Sequence, residues 1–200
     1  FNPNMRQEAR ERLALEESLR HAVNNNQIQA HLQPIVRLID GSLLGFEALA
    51  RWEHPQLGLL SPSTFIEAAE ENGLIEEIDL GVITEACHAV AALQQIEARD
   101  PFRLSVNVSA RTLGAVDFIS RLKPILHESC IKPNTLLLEI TETALVQEVP
   151  SIADTINKLQ KLGVKLAIDD FGTGYSSLQP KRKQLFLFGD FPDNAKGYNK

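Results

Sequence analysis

Long apolar segments recur at intervals of about 30 residues in the second half of the chain, at 102–110, 134–143 and 164–172. Each segment is a nearly continuous apolar run, which is typical of strands that are buried on both faces of a parallel sheet. Segments with helical periodicity, 117–129 and 150–162, lie between them. This alternation of strand and helix predicts an α/β fold, either a sheet or a barrel.

The first half of the chain adds a predicted hairpin. Two apolar runs, near 28–37 and 43–52, flank the dipeptide Asp40-Gly41. Asp-Gly is a strong hairpin signal because both residues tolerate a positive φ, so we expect two antiparallel strands at this point.

Three further segments carry a helical pattern of apolar residues. The first is amphipathic, and we expect it to be a lead-in helix. The second follows a Ser or Thr cap and is expected to end at Gly73. The three segments cover residues 6–24, about 63–71 and 76–98.

The composition is that of a globular domain, with 44% hydrophobic and 23% charged residues among 200. No apolar run approaches the roughly 20 residues of a membrane-spanning helix, so we expect a cytoplasmic domain. Phe1 and a sole methionine, Met5, indicate a piece of a longer protein, in which any membrane anchor would lie upstream. Cys87 and Cys130 are expected to be buried free thiols rather than a disulfide.

The net charge of −6 is unevenly distributed along the chain. Residues 179–200 carry five Lys or Arg and two Asp, a charge of +3, so residues 1–178 carry −9. An acidic body argues against binding to a nucleic-acid polymer. It is compatible with a phosphate-bearing substrate, because a divalent cation can lie between carboxylates and phosphates.

Oxygen-bearing side chains lie at or just after the C-terminal ends of four predicted strands. In a (β/α) barrel these ends meet at one face, where active sites are found. Several carboxylates in one place repel each other unless a cation joins them, and all-oxygen ligands favour Mg²⁺ or Mn²⁺ over zinc. Each residue alone is more often a rim, cap or turn residue, and only their recurrence indicates a site. The residues are Glu47, Asn107, Glu139, Glu142, Asp169 and Asp170.

Six ordered motifs resemble the landmarks of the EAL domains, a family of cyclic di-GMP phosphodiesterases. The motif "FEALARW" (46–52) resembles the signature that names the family. The resemblance covers residues 28–178 almost continuously. The other motifs are "LQPIV" (32–36), "SPSTFIEAAEENGLI" (61–75), "SVNVS" (105–109), "LEITET" (138–143) and "IDDFGTGYSSL" (168–178).

The resemblance implies an incomplete (β/α)8 TIM-like barrel whose first strand is antiparallel. It divides the chain into a lead-in linker helix (1–26), an EAL domain with its first five strands (27–178) and a non-matching tail (179–200). The lead-in resembles linkers that follow an upstream sensor or diguanylate-cyclase-type domain. The family also implies a homodimer in the full-length parent protein.

The family's activity implies a two-metal site, with Mg²⁺ or Mn²⁺, that opens one phosphodiester bond of cyclic di-GMP to give linear pGpG. Asp170 and Glu142 are implied catalytic residues, and Glu142 would brace the mobile loop 171–177. Arg51 suits a phosphate because a guanidinium matches its oxygens geometrically. The implied metal ligands are Glu47, Asn107, Glu139, Asp169 and Asp170, and the implied substrate contacts are Gln33, Leu49 and Arg51.

The resemblance stops after Leu178. The family continues to a strand with a lysine, expected near position 190, where this chain has Asp190, and a later Glu and Gln also lack counterparts. We therefore expect a truncation, frameshift or artificial junction, and impaired hydrolysis by this chain. Five strands would leave an open sheet edge, although "QLFLF" (184–188) could supply a sixth strand without a lysine. Two alternatives stay open: a degenerate module that binds cyclic di-GMP or a protein partner, and an inert fragment.

Overall fold

The computed structural model describes residues 3–96, 101–169 and 186–188, with side chains over 12–96, 101–141 and 152–168. The helices are α1 (Pro3–Asn24), α2 (Pro62–Glu71), α3 (Ile75–Ile96), α4 (Ala110–Gly114), α5 (Phe118–Ser129) and α6 (Glu142–Leu162), with a 3₁₀ turn at Pro133–Thr135. The strands are β1 (Ile28–Val36), β2 (Leu43–His54), β3 (Gly58–Leu60), β4 (Arg103–Asn107), β5 (Leu136–Thr141), β6 (Lys165–Asp169) and β7 (Phe186–Phe188).

All seven described strands form one sheet, in the order β1-β2-β4-β5-β6-β7, with β3 paired to β2. The neighbours β2, β4, β5 and β6 are parallel, and helices cross between them. β1 is antiparallel to β2. The predicted alternation of strands and helices and the antiparallel first strand are therefore confirmed.

The outer edge of β6 differs from the expectation of an open sheet edge after the fifth strand. Leu166–Ile168 pair with β7, which runs antiparallel to β6. The possible sixth strand in the segment 184–188 is confirmed at residues 186–188, and the expectation of an open edge was wrong for Leu166–Ile168, whose backbone groups pair with it. The direction of β7 also differs from the parallel pairing of β4, β5 and β6.

The hairpin between β1 and β2 is confirmed, although its turn is wider than a two-residue Asp-Gly turn. The backbone N–H of Arg37 donates to the carbonyl of Ser42 at 2.8 Å, and that of Gly41 donates to the carbonyl of Arg37 at 2.8 Å. Gly41 has φ +70°, whereas Asp40 does not have a positive φ. Asp40 instead accepts hydrogen bonds from the backbone and hydroxyl of Ser42 at 3.0 and 2.7 Å. Its carboxylate, rather than its backbone, shapes the turn.

The main core lies between the sheet and the helices that cover one of its faces. Residues at even positions in β4 and β5 are fully buried and belong to one cluster with residues of α3 and α5. β2 approaches β4 closely, since a Cβ on Gly45 would lie 2.0 Å from the carbonyl oxygen of Arg103. The buried strand residues are Leu104, Val106, Leu136, Leu138 and Ile140.

Several boundaries and environments differ from the sequence predictions. The last long helix, α6, begins at Glu142 rather than near 150, and the short elements β3 and α4 were not predicted. Cys87 is a buried free thiol as expected, whereas Cys130 is exposed at the end of α5 with φ +59°. Among the described residues, no helix is both long and apolar enough to cross a membrane.

Candidate metal and nucleotide site

The strand register places three of the predicted metal ligands on one face of the sheet. Glu47 of β2 is opposite Ser105 of β4, and Asn107, two residues further along β4, is opposite Glu139 of β5. Residues in register share a face, and so do residues two apart in a strand. This face is opposite the one that the helices cover, so it corresponds to the interior of a barrel.

The register also staggers these positions as a barrel requires. From Glu47 it advances two residues to Asn107, none to Glu139 and two more to Asp169. In an eight-stranded barrel of shear eight, positions of equal height advance by about one residue per strand. Glu47 and Glu139 therefore lie at one level, and Asn107 and Asp169 lie at the next, about 2.7 Å higher for a rise of about 3.3 Å along strands tilted by about 36°.

Hydrogen bonds connect these residues in pairs. The side-chain amide of Asn107 donates to Oε1 of Glu47 at 3.5 Å, which joins β4 to β2. The hydroxyl of Ser105 donates a short hydrogen bond to Oε1 of Glu139, which joins β4 to β5. Glu139 is only 5% exposed, Glu47 is half-buried and Asn107 is exposed. The group therefore extends from the buried barrel interior to its open rim.

Glu47 does not end its strand, contrary to the sequence prediction. β2 continues to His54 and pairs with β1 from Leu43 to Trp52, but its pairing with β4 stops at Ala48, and β3 pairs with its last residues, Trp52–His54. Glu47 therefore lies near the C-terminal end of the parallel part of the sheet. It shares a face of the sheet with Asn107 and Glu139.

The predicted substrate residues lie on the same face as Glu47. Gln33 of β1 is opposite Glu47 in the antiparallel register, and its side chain is exposed. Leu49 and Arg51 follow Glu47 at two-residue steps along β2 and are half-buried. Arg51 donates from Nη1 to the carbonyl of Ala50 at 2.8 Å, so its guanidinium is held close to its own strand. The face therefore combines carboxylates with a cation and an exposed amide.

The remaining predicted residues are described only in part. Asp169 is the last residue of β6, opposite Thr141 in the register. Glu142 is the first residue of α6, and only its backbone is described. Asp170, the loop 171–177 and Asp190 lie outside the described residues.

A buried carboxylate that sequence reasoning missed lies on α3 and bonds to the segment that follows Asn107. Asp79 of α3 is 6% exposed, and its Oδ2 accepts from the hydroxyl of Thr112 at 2.6 Å and the backbone N–H of Ser109 at 2.9 Å. Burial raises the pKa of Asp79 to about 6, although both hydrogen bonds act in the opposite direction. An acidic residue between Ile78 and Leu80, on the apolar face of a predicted helix, was the available signal.

The donor chemistry of the site fits a hard divalent cation. Two carboxylates and an amide provide only oxygen ligands, which Mg²⁺, Mn²⁺ and Ca²⁺ prefer. Over the side chains that the structure describes, no group of three or more His, Cys, Asp and Glu has metal-binding geometry. The described part of the site contributes two such residues, Glu47 and Glu139, beside the amide of Asn107.

Known proteins that are similar to this chain in sequence or structure include phosphodiesterases named for, or solved with, cyclic di-GMP. The chain is 38% identical over 183 residues to the cyclic di-GMP phosphodiesterase NbdA of Pseudomonas aeruginosa. The matched region covers 92% of this chain and 23% of NbdA. A solved structure of the PaMucR phosphodiesterase with c-di-GMP is 35% identical, with a TM-score of 0.74 over 82% of this chain and 66% of that one. BlrP1 of Klebsiella pneumoniae, solved with calcium and cyclic di-GMP, is 30% identical, with a TM-score of 0.61 over 76% of this chain and 36% of that one.

These similarities agree with the strand order and strand directions of the sheet. The chain spans less than a third of the length of NbdA, so the comparison concerns one part of that protein. Similarity to PaMucR confirms the fold as the first part of a (β/α)8 barrel with an antiparallel first strand. The model of the EAL domain matches residues 16–183, and the chain therefore belongs to the EAL domain family.

Proposed function

We propose that this chain binds cyclic di-GMP and hydrolyses one of its phosphodiester bonds to linear pGpG with the help of Mg²⁺ or Mn²⁺. The observation that carries the proposal is the register that brings Glu47, Asn107 and Glu139 to one face of the sheet. The names of NbdA and PaMucR support the substrate. By the family resemblance, we propose that the unit works as a homodimer in a longer cytoplasmic signalling protein.

The proposed ligands of the first cation are Glu47, Asn107, Glu139 and Asp169, and Asp170 would help to hold a second. When bound, such cations lower the pKa of a water and offset the charge of the phosphate oxygens. The hydroxyl of Ser105 holds the carboxylate of Glu139 in a fixed orientation from within the buried part of the face. Such orientation lowers the cost of binding a cation, because the ligand does not have to be ordered first.

The substrate would lie above the cations, along β1 and β2. Arg51 would contact a phosphate with N–H groups other than the one that donates to the carbonyl of Ala50. Gln33 and Leu49 would contact the rest of the dinucleotide from the same face. Asp170 and Glu142 would complete the catalytic residues, with Glu142 bracing the loop 171–177.

We propose that turnover is slow. The family's lysine, expected near position 190, is replaced by Asp190 in this chain. Loss of a general acid or base costs typically about 10²–10⁴-fold in rate, and a similar deficit is expected here relative to EAL domains that carry the lysine.

Chromatographic detection of pGpG tests the proposal. The purified chain is incubated with cyclic di-GMP and Mn²⁺, with and without excess EDTA. We expect slow formation of pGpG that EDTA and Glu139→Gln abolish. Glu128→Gln, which changes an exposed glutamate of α5, serves as the matched control and should leave the rate unchanged. Product formation that is insensitive to EDTA and to Glu139→Gln would refute the proposed site.

A second candidate is a module that binds cyclic di-GMP without hydrolysis. It is favoured by Gln33 and Arg51 on the same face as Glu47 together with Asp190 in place of the lysine. Calorimetric titration with cyclic di-GMP in Ca²⁺ distinguishes the candidates when it is combined with the chromatographic assay. Binding without any pGpG in Mn²⁺ would support the binding module, and the absence of binding heat would exclude it.

A further inference from the structure

Asp79 is a buried acidic residue that the proposed chemistry does not use. It lies on α3 at 6% exposure, within the apolar surroundings of Ile78 and Leu80. A carboxylate in such surroundings is costly unless hydrogen bonds compensate for the lost water. A carboxylate at this position therefore needs hydrogen-bond donors, and the structure shows two.

Both partners belong to the segment that follows β4. Oδ2 of Asp79 accepts from the backbone N–H of Ser109 and from the hydroxyl of Thr112, at 2.9 and 2.6 Å. Ser109 is two residues beyond Asn107, the proposed metal ligand, and Thr112 lies in α4. The preceding residue, Val108, donates its backbone N–H to the carbonyl of Glu139 at 2.8 Å. The backbone directly after Asn107 is thus tied to β5 at one amide and to α3 at the next.

Asp79 is not required as the cap of α4. That role belongs to Ser109, whose hydroxyl accepts from the backbone N–H of Thr112 at 3.1 Å. The hydroxyls of Ser109 and Thr112 are themselves 2.9 Å apart. The bond from the Ser109 amide to Asp79 ties the segment to α3 two residues after Asn107, whose side-chain amide donates to Glu47.

We infer that Asp79 is a positioning residue that holds Asn107 at the proposed cation site through Ser109 and Thr112. The inference rests on the proposed function, because it takes Asn107 as a ligand. Asp79 itself does not contact Asn107, Glu47 or Glu139 in the described contacts, so it acts on the site only through the backbone.

The test compares Mn²⁺ affinity and local backbone protection among three variants. Asp79→Ala removes both acceptor bonds, whereas Asp79→Asn keeps an oxygen that can accept them. Ile83→Ala is the matched control, since it opens a cavity at another fully buried position of α3 that does not bond to the 108–112 segment. Mn²⁺ binding is measured by calorimetry, and hydrogen exchange is measured at the amide of Ser109.

We expect Asp79→Ala to weaken Mn²⁺ binding by about 10–100-fold, the usual effect of removing a residue that orients a metal ligand. It should also accelerate exchange of the Ser109 amide, while Asp79→Asn stays within about fivefold of the wild type in affinity. Ile83→Ala should lower stability without changing Mn²⁺ affinity or exchange at Ser109. If Asp79→Ala does not fold, Thr112→Val removes one of the two bonds and should weaken Mn²⁺ binding by about fivefold.

Each contrary result has a distinct meaning. Wild-type affinity in folded Asp79→Ala, or in Thr112→Val if that variant has to be used, overturns the positioning role alone. Equal losses in Asp79→Ala and Ile83→Ala also overturn it, because they would show a general effect of stability. A wild-type chain that binds no Mn²⁺ overturns the proposed function, and the positioning role falls with it.

Discussion

The buried carboxyl of Asp79 makes the stability of the fold depend on pH. Burial raises its pKa from the ordinary value of 3.8 to about 6 in the folded chain, and the unfolded chain retains the ordinary value. The fold therefore favours the protonated carboxyl. This stabilisation is fully present below pH 3.8 and is lost as the pH rises through about 6.

The size of the effect follows from the two pKa values. At 1.36 kcal/mol per pKa unit, the difference between 3.8 and about 6 corresponds to about 3 kcal/mol of unfolding free energy. Asp79→Asn keeps an acceptor oxygen but does not titrate. The free energy of unfolding of this variant, relative to that of the wild type, should therefore rise by about 3 kcal/mol from pH 3.8 to neutral pH.

Urea unfolding of both proteins across this pH range measures the difference, in which the titration of other groups largely cancels. The stability of Thr112→Val relative to the wild type should change with pH in the opposite direction, because the hydroxyl of Thr112 stabilises the ionised carboxylate of Asp79. Its destabilisation should be larger at neutral pH than below pH 3.8. A difference between wild type and Asp79→Asn that is constant with pH would refute the assigned burial of the carboxyl.

Three further predictions concern other parts of the fold. Ser105→Ala, which removes the donor to the carboxylate on β5, should weaken Mn²⁺ binding by about 10–100-fold, and unchanged calorimetric affinity would contradict it. Gly45→Ala should destabilise the chain by about 3 kcal/mol or more, because its Cβ meets backbone at 2.0 Å, whereas Gly81→Ala in α3 should stabilise it by about 0.5–1 kcal/mol. Equal urea midpoints for the two variants would contradict the close approach of β2 and β4. Iodoacetamide should label Cys130, which is exposed, in the native chain. It should label Cys87 only after unfolding, because this thiol is buried and its pKa is raised to about 12. Mass spectrometry that finds both cysteines labelled in the native chain would disprove this.

The buried strands were predictable from sequence because their apolar runs are long. The runs at 102–110 and 134–143 contain β4 and β5, and the polar residues Asn107 and Glu139 near their C-terminal ends indicated the site. Both strands end earlier than the runs, since apolar residues continue into the segments that follow. Apolar composition reports burial, and it does not report where strand pairing ends.

The register was not predictable, because it depends on contacts between strands. The sequence prediction placed Glu47 at a strand end, whereas β2 extends to His54, keeps β1 as a neighbour and exchanges β4 for β3 on its other side. The tie between Asp79 and Ser109 joins residues 30 positions apart and has no local signature. The pairing of β7 with β6 likewise depends on a tertiary contact that a three-residue strand cannot specify alone.

We propose that Glu47, Asn107 and Glu139 form part of a divalent-cation site beneath cyclic di-GMP. Crystals of the chain grown with Mn²⁺ and cyclic di-GMP, measured at the manganese absorption edge, test it directly. We expect an anomalous peak in direct contact with oxygens of these three residues, with the dinucleotide next to Arg51. A structure with bound dinucleotide and no manganese at these residues, or with manganese on other side chains only, would contradict it.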